Sequence, residues 1–387
     1  MLQRNQRMRA DAAAYIEERS TFAIIGDTPL SARLYLDHAA TTPLIPEAVA
    51  AMAEGIGRWA NPSSPHAEGR AARAALEDAR QRISAALGWA GDLIFTSGAT
   101  EAIALAVHRA QCGERLASAV EHDSVLRAIP ENQRLPVQPM GHVSMAALED
   151  ALAEAGPGTL VAIQAVNSET GVIQPSEAQI ATIQAAGGLA LVDCAQSAGK
   201  MALPANADFI AVSAHKLGGP PGIGALLVRD LALLRPSGGQ EQGYRGGTEN
   251  LIGAMGFAAA LEAARGWIPR AEELRRHAEQ AIEAAGGIVV AKGARRLPTI
   301  GSYRMPGVAS TAQLIQFDMA GIAVSAGSAC SSGSLKPSHV LAAMGWKEED
   351  AGEVIRVSFG PATSRADIYR FLEMWTRLAQ DAKGRSA

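Results

Sequence analysis

At 387 residues, the chain is too long for one compact core and suits two domains. A net charge of −4 leaves no basic excess for a nucleic-acid partner, and no apolar run approaches membrane-spanning length. Three cysteines, Cys112, Cys194 and Cys330, form no CxxC pair. That argues against a zinc ribbon or a disulfide scaffold and fits a reducing, cytoplasmic setting.

The arginine-rich first stretch carries Asp11, Glu17 and Glu18. It has neither the apolar core of a secretory signal nor the acid-poor composition of a transit peptide, so residues 1–33 read as an extension. Leu34–Pro43, LYLDHAATTP, is a short strand entering a turn, and Pro46 marks the next helix. Asn61–His66 is a Pro/Ser loop, followed to Leu87 by apolar residues at helical spacing. Asp92–Thr96 is strand-like and leads through Ser97-Gly98-Ala99-Thr100 into a helix to Arg109. A small-residue turn between strand and helix aims backbone N–H groups at an anion such as phosphate.

The alternation continues with strands at Leu116–Val120, Leu160–Val166, Leu189–Val192, Phe209–Val212 and Gly224–Val228. Helices at Met145–Ala155 and Ser176–Ala186 fall between them. The pattern predicts an α/β fold, a mainly parallel sheet covered on both faces. Thr100, His122, Asn167, Asp193 and Lys216 all fall after the C-terminal ends of strands, where open α/β sheets bind ligands. A desolvated lysine becomes a nucleophilic amine able to form a Schiff base. A carboxylate under a ring nitrogen completes the pairing that pyridoxal phosphate (PLP) needs.

Ser237–Asn250 is a glycine-rich loop. A long helical region from Leu251 to Ala285, broken near Pro269, links to a smaller α+β part. That part has strands at Gly287–Val290 and Val354–Phe359 and helices at Thr311–Met319 and Asp367–Ala379. The expected division is a large domain over residues 34–264 and a small one over residues 265–387. Within the latter, Ala323–Pro337, AVSAGSACSSGSLKP, reads as a mobile loop with an accessible thiol at Cys330. Cys194, at an apolar strand end, and Cys112, after an apolar helix, read as structural.

Taken in order, LYLDHAATTP, NPSSPH, FTSGATEA, EHDSV, VNSETGVIQP, LVDCAQSAGK, SAHKLGGPPGIGAL, YRGGTEN, SAGSACSSGSLKPSHVL and VIRVSFG make the chain resemble the cysteine desulfurases. These are PLP enzymes of the class V aminotransferase group with the aspartate-aminotransferase-like (fold type I) large domain. The form of the cysteine loop resembles the nitrogen-fixation and iron–sulfur assembly branch. The resemblance implies that Lys216 holds PLP and moves the substrate's α-proton, that Asp193 pairs with the pyridinium nitrogen, and that His122 stacks on the ring. It implies Gln196 on the phenolic oxygen. The backbone at Ala99 with Thr100, Ser213 and His215 would take the phosphate, and Thr248 would reach it from a neighbouring subunit of a homodimer. Asn167 and Arg356 would bind the carboxylate of L-cysteine. Cys330 would take the sulfur as a persulfide, leave alanine, and pass the sulfur to an acceptor or iron–sulfur scaffold protein. A cluster contact through that persulfide is the one metal contact implied. The alternatives are another class V reaction, an aminotransferase or selenocysteine lyase, or a non-catalytic carrier that kept the fold. Residues before Leu34 have no counterpart in the core family, and Pro221 stands where many relatives carry lysine. The ending DAKGRSA lacks the longer tail with which housekeeping members dock a scaffold.

Overall fold

A computed structural model describes residues 33–264, 266–327 and 337–386. The strands are β1 (Leu34–Tyr35), β2 (Asp92–Thr96), β3 (Arg115–Ser118), β4 (Arg134–Leu135), β5 (Leu160–Gln164), β6 (Leu189–Asp193), β7 (Phe209–Ser213), β8 (Gly224–Val228), β9 (Ile288–Val289), β10 (Ile300–Arg304), β11 (Ile322–Ala323) and β12 (Val354–Ser358). The principal helices are α1 (Pro46–Ile56), α2 (Ala67–Leu87), α3 (Ala99–Arg109), α4 (Met145–Ala155), α5 (Ser176–Ala185), α6 (Leu251–Ala263), α7 (Ile268–Ala284), α8 (Ser310–Met319), α9 (His339–Ala343) and α10 (Arg365–Ser386). No single helix among the described residues is long and apolar enough to cross a membrane.

Seven strands form one sheet in the order β2-β8-β7-β6-β5-β3-β4. β8 runs antiparallel to both its neighbours and every other pairing is parallel. The strands β5, β7 and β8 are mostly apolar and buried along their length because both faces are covered. Alternate residues divide between two cores: Val161, Ile163, Ile210 and Val212 pack with helix residues such as Leu76, Leu148, Ile180 and Phe257. Leu160, Ala162, Phe209 and Ala211 face Ile103 and Val107 of α3. At the β2 edge, Phe95 N–H donates to the Glu241 carboxylate at 2.7 Å, and Arg80 binds the same carboxylate at 2.8 Å while lying over the Phe95 ring. The strap from the glycine-rich loop thus blunts an open strand edge just before the chain enters the site.

A second core surrounds the sheet β12-β10-β9. Tyr303, Phe317, Phe371 and Trp375 fill it, with Phe317 stacked on Phe371 at 5.3 Å. Leu34 and Leu36 belong to this core, and β1 pairs with β11. The described residues therefore begin in the second core and cross to the first. A two-residue strand paired so far along the chain leaves no periodic trace.

Candidate active site

The site gathers where β2, β3, β6 and β7 end. After Thr96 the backbone turns at Gly98 with φ 153°, and α3 begins at Ala99. Ala102 N–H makes an intrahelical bond, to Gly98 O, so the N–H groups of Ala99, Thr100 and Glu101 precede the helical ladder. A Cβ at Gly224 would lie 2.5 Å from Val212 O and 2.7 Å from Gly98 Cα, so glycine there lets β8 approach the turn. Glu101 accepts from Ser97 N–H at 2.5 Å and from Arg245 Nε at 2.8 Å. It ties the 237–250 loop to the start of α3.

His122 follows β3. Its Nδ1 accepts from Ser124 N–H at 3.2 Å, so the neutral ring carries its proton on Nε2. Burial lowers its pKa, the Asp193 charge opposes this, and Lys216 pushes it down again. Asp193 ends β6, its Oδ1 accepting Ala195 N–H at 2.8 Å. The neighbouring Glu121 is fully buried, and burial together with the Asp193 charge raises its pKa well above the carboxylate range.

Lys216 sits in the short 3₁₀ turn Ala214–Lys216 after β7 and is 9% exposed. Thr41 and Thr42 of the LYLDHAATTP turn hold this region. Thr42 N–H donates to His215 O at 2.8 Å, Thr42 Oγ1 to Lys216 O at 3.2 Å, and Thr41 Oγ1 to His215 O at 3.3 Å. Thr41 Oγ1 also lies 3.2 Å from His215 Nδ1. Their positioning role was missed from the sequence, where the turn is visible but its distant partners are not. Burial first, then the Lys216 and Lys200 charges, lowers His215 to about 4. Burial and the Lys216 charge lower Lys200 to about 7.

These elements enclose a cleft of about 340 Å³ lined by Ala99, Thr100, His122, Asp193, Ser213, His215 and Lys216, among others. Gln196 is buried beside it, its Nε2 donating to Ala39 O at 2.9 Å while its Oε1 has no partner among the described residues. Asn167 and Arg356 stand outside the lining. Asn167 Oδ1 accepts from Glu169 N–H, Thr170 N–H and Thr170 Oγ1, and its Nδ2 donates to Val120 O. Arg356 binds Asp37 Oδ1 at 2.8 Å and Ser168 O at 3.0 Å, and its buried Nε has no partner among the described residues. Thr248 is exposed and also outside the cleft lining. Cys330 lies outside the described residues.

A class V aminotransferase family model matches residues 34–371. A cysteine desulfurase (IscS 1) of Archaeoglobus fulgidus is 35% identical over 88% of this chain and 95% of its own length. The chain belongs to the cysteine desulfurases. Another member of the family, from Gluconacetobacter diazotrophicus, is 38% identical over 88% of this chain and 92% of its own. The solved NifS-like protein of Rickettsia africae superposes with a TM-score of 0.82 at 30% identity, covering 90% of this chain and 99% of that one. SspA in complex with cysteine superposes at 0.73 with 29% identity, over 86% and 100% of the two chains.

One departure of this desulfurase from generic turn chemistry is measurable. His38, in the same turn as Thr41, is 8% exposed, and a Cβ at Gly360 would fall 2.1 Å from its ring. Burial, reinforced by Lys200, lowers its pKa to about 4. Above the unfolded value of about 6.5 both states are neutral there. As pH falls from there towards 4, the unfolded chain gains a proton that the folded ring refuses, so stability is lost with falling pH. Between pH 7 and 5 this amounts to about 2 kcal/mol. Urea midpoints at the two pH values should show that loss in the parent, and His38→Asn should remove about that share of it.

Proposed function

We propose that this chain is a PLP-dependent enzyme that removes sulfur from L-cysteine and passes it on as a persulfide of Cys330. The observation that carries the reading is the cleft itself. Lys216 and Asp193 stand at the ends of adjacent strands beside the N–H groups that begin α3. The residues present fit PLP. A helix start with Ser213 and His215 suits a phosphate, and the unsatisfied Gln196 Oε1 marks an amide end that a phenolic group would complete.

When bound, the cofactor would act as a sink for the electrons released at the substrate's Cα. Lys216 would hold it and, once displaced by substrate, move the Cα proton. Asp193 would keep the ring nitrogen protonated. His122, its Nδ1 engaged by Ser124 N–H, offers a flat face for stacking and its Nε2 for acid–base work. Arg356 would give the substrate carboxylate its partly unmatched guanidinium, and Asn167 would support the same end. The Cys330 thiolate would attack the substrate sulfur. The Cβ–S bond breaks, an S–S bond forms, and Cβ takes a proton. L-cysteine and a thiol thus become L-alanine and a persulfide with no outside oxidant.

The other two thiols are poorly suited to that attack. Burial pushes buried Cys194 up to about 12 and also raises the half-buried Cys112, and the thiolate is the reactive form. A homodimer is supported by exposed Trp59 and Ile56, at 79% and 65%, and by Thr248 standing free of its own cleft. Iron–sulfur cluster assembly is the purpose we infer for the sulfur. With L-cysteine and a reductant, the purified protein should release sulfide and alanine in equal amounts. Keto acid without sulfide would instead indicate transamination.

A further inference from the structure

The segment that carries Cys330 is rooted at both ends on one turn of the large sheet. The turn Asn167-Ser168-Glu169-Thr170 follows β5 and is closed by Asn167 Oδ1, which accepts three hydrogen bonds from within it. On the N-terminal side of the cysteine segment, Ser325 and Arg356 exchange backbone hydrogen bonds at 3.1 and 2.7 Å. Arg356 Nη1 then donates to Ser168 O at 3.0 Å. On the C-terminal side, Ser338 Oγ donates to Glu169 Oε2 at 2.5 Å and accepts Leu341 N–H at 3.0 Å, capping α9. The next residue, His339, reaches Glu121 O with its Nε2 at 2.9 Å, one residue before His122.

Glu169 and Ser338 are 8% and 3% exposed. Among the described residues the Glu169 carboxylate makes no ion pair, so the Ser338 hydroxyl bears on a desolvated acid. A buried polar group is costly when left unpaired, so removing either partner of this hydrogen bond leaves the other unsatisfied. Packing alone would be served better by an apolar side chain there. Ser302 Oγ also donates to Glu169 O at 2.6 Å, which fixes the acid's backbone against the second domain.

We propose that Glu169 is a positioning residue for sulfur transfer. Through Ser338 it fixes the C-terminal root of the segment carrying Cys330, relative to the strand ends that present the substrate. This rests on the reading of Cys330 as sulfur acceptor. Its role is confined to the step in which the thiol meets the substrate sulfur. Steps that need only Lys216, Asp193 and His122 do not depend on it.

The holoenzyme tests this with two readouts. Exchange of the substrate α-hydrogen in deuterium oxide, followed with L-alanine, reports the cleft. The mass of the Cys330 peptide after a single turnover with L-cysteine reports persulfide formation. Ser338→Ala and Glu169→Gln should slow persulfide formation between about 10- and 100-fold, the scale of an ångström of misplacement. Exchange should stay within about twofold of the parent. Ser338→Thr, which keeps both bonds of the hydroxyl, should restore persulfide formation. Loss of exchange together with persulfide, or no change in either, overturns the inference. A parent that exchanges the α-hydrogen but never carries the persulfide overturns the sulfur-acceptor reading, and this inference with it.

Discussion

Replacing Cys330 with serine is expected to cut sulfide and alanine formation from L-cysteine by at least about 10³-fold, with cofactor still bound. The substitution exchanges one atom. Oxygen cannot form the persulfide, and a serine hydroxyl does not ionise near neutral pH as a thiol does. The neighbouring thiols offer no substitute, since Cys194 is fully buried and the pKa of Cys112 is raised by burial. The check is a paired assay of both products beside the absorbance of the bound cofactor. A variant as active as the parent would mean that the fold is right and the reaction is wrong.

Lys216→Ala is expected to abolish turnover, again by at least about 10³-fold, because holding the cofactor and moving the Cα proton fall to the same amine. A second consequence is independent of turnover. The Lys216 charge contributes to lowering both Lys200, now about 7, and His215, now about 4. Without it both should titrate at higher pH in protein stripped of cofactor, His215 remaining depressed by burial. Magnetic resonance titration of the two side chains measures this directly. Unchanged titration in the variant would mean that the amine does not stand among these groups as the geometry places it.

Residues at strand ends were the most legible part of the site. Asp193 and Lys216 each follow a run of apolar residues, so hydrophobic patterning locates them without knowledge of what lies beside them. Thr100 is legible for a similar reason, through the small-residue turn before α3. What escaped was set by distance along the chain. Thr41 and Thr42 act on the carbonyls of residues 215 and 216, and Glu169 acts on Ser338. Neither pairing leaves a local pattern. Arg356 shows a further limit. The family resemblance assigns it a substrate carboxylate, but only the structure reveals that Asp37 already occupies one nitrogen. The strands β1 and β11, two residues each, are too short for periodicity to register.

The placement of β1 also bears on the order in which the protein is made. Leu36, fully buried, and Leu34 leave the ribosome among the first described residues, yet the core that shelters them includes Phe371 and Trp375 of the last helix. Until α10 is made that core is incomplete, and a growing chain with exposed apolar residues is open to association. Thr41 and Thr42 can dock much sooner, as soon as residues 215 and 216 appear. A piece cut at residue 264 would hold all seven strands of the large sheet and the grip on Lys216, and would still present Leu34 and Leu36 to water.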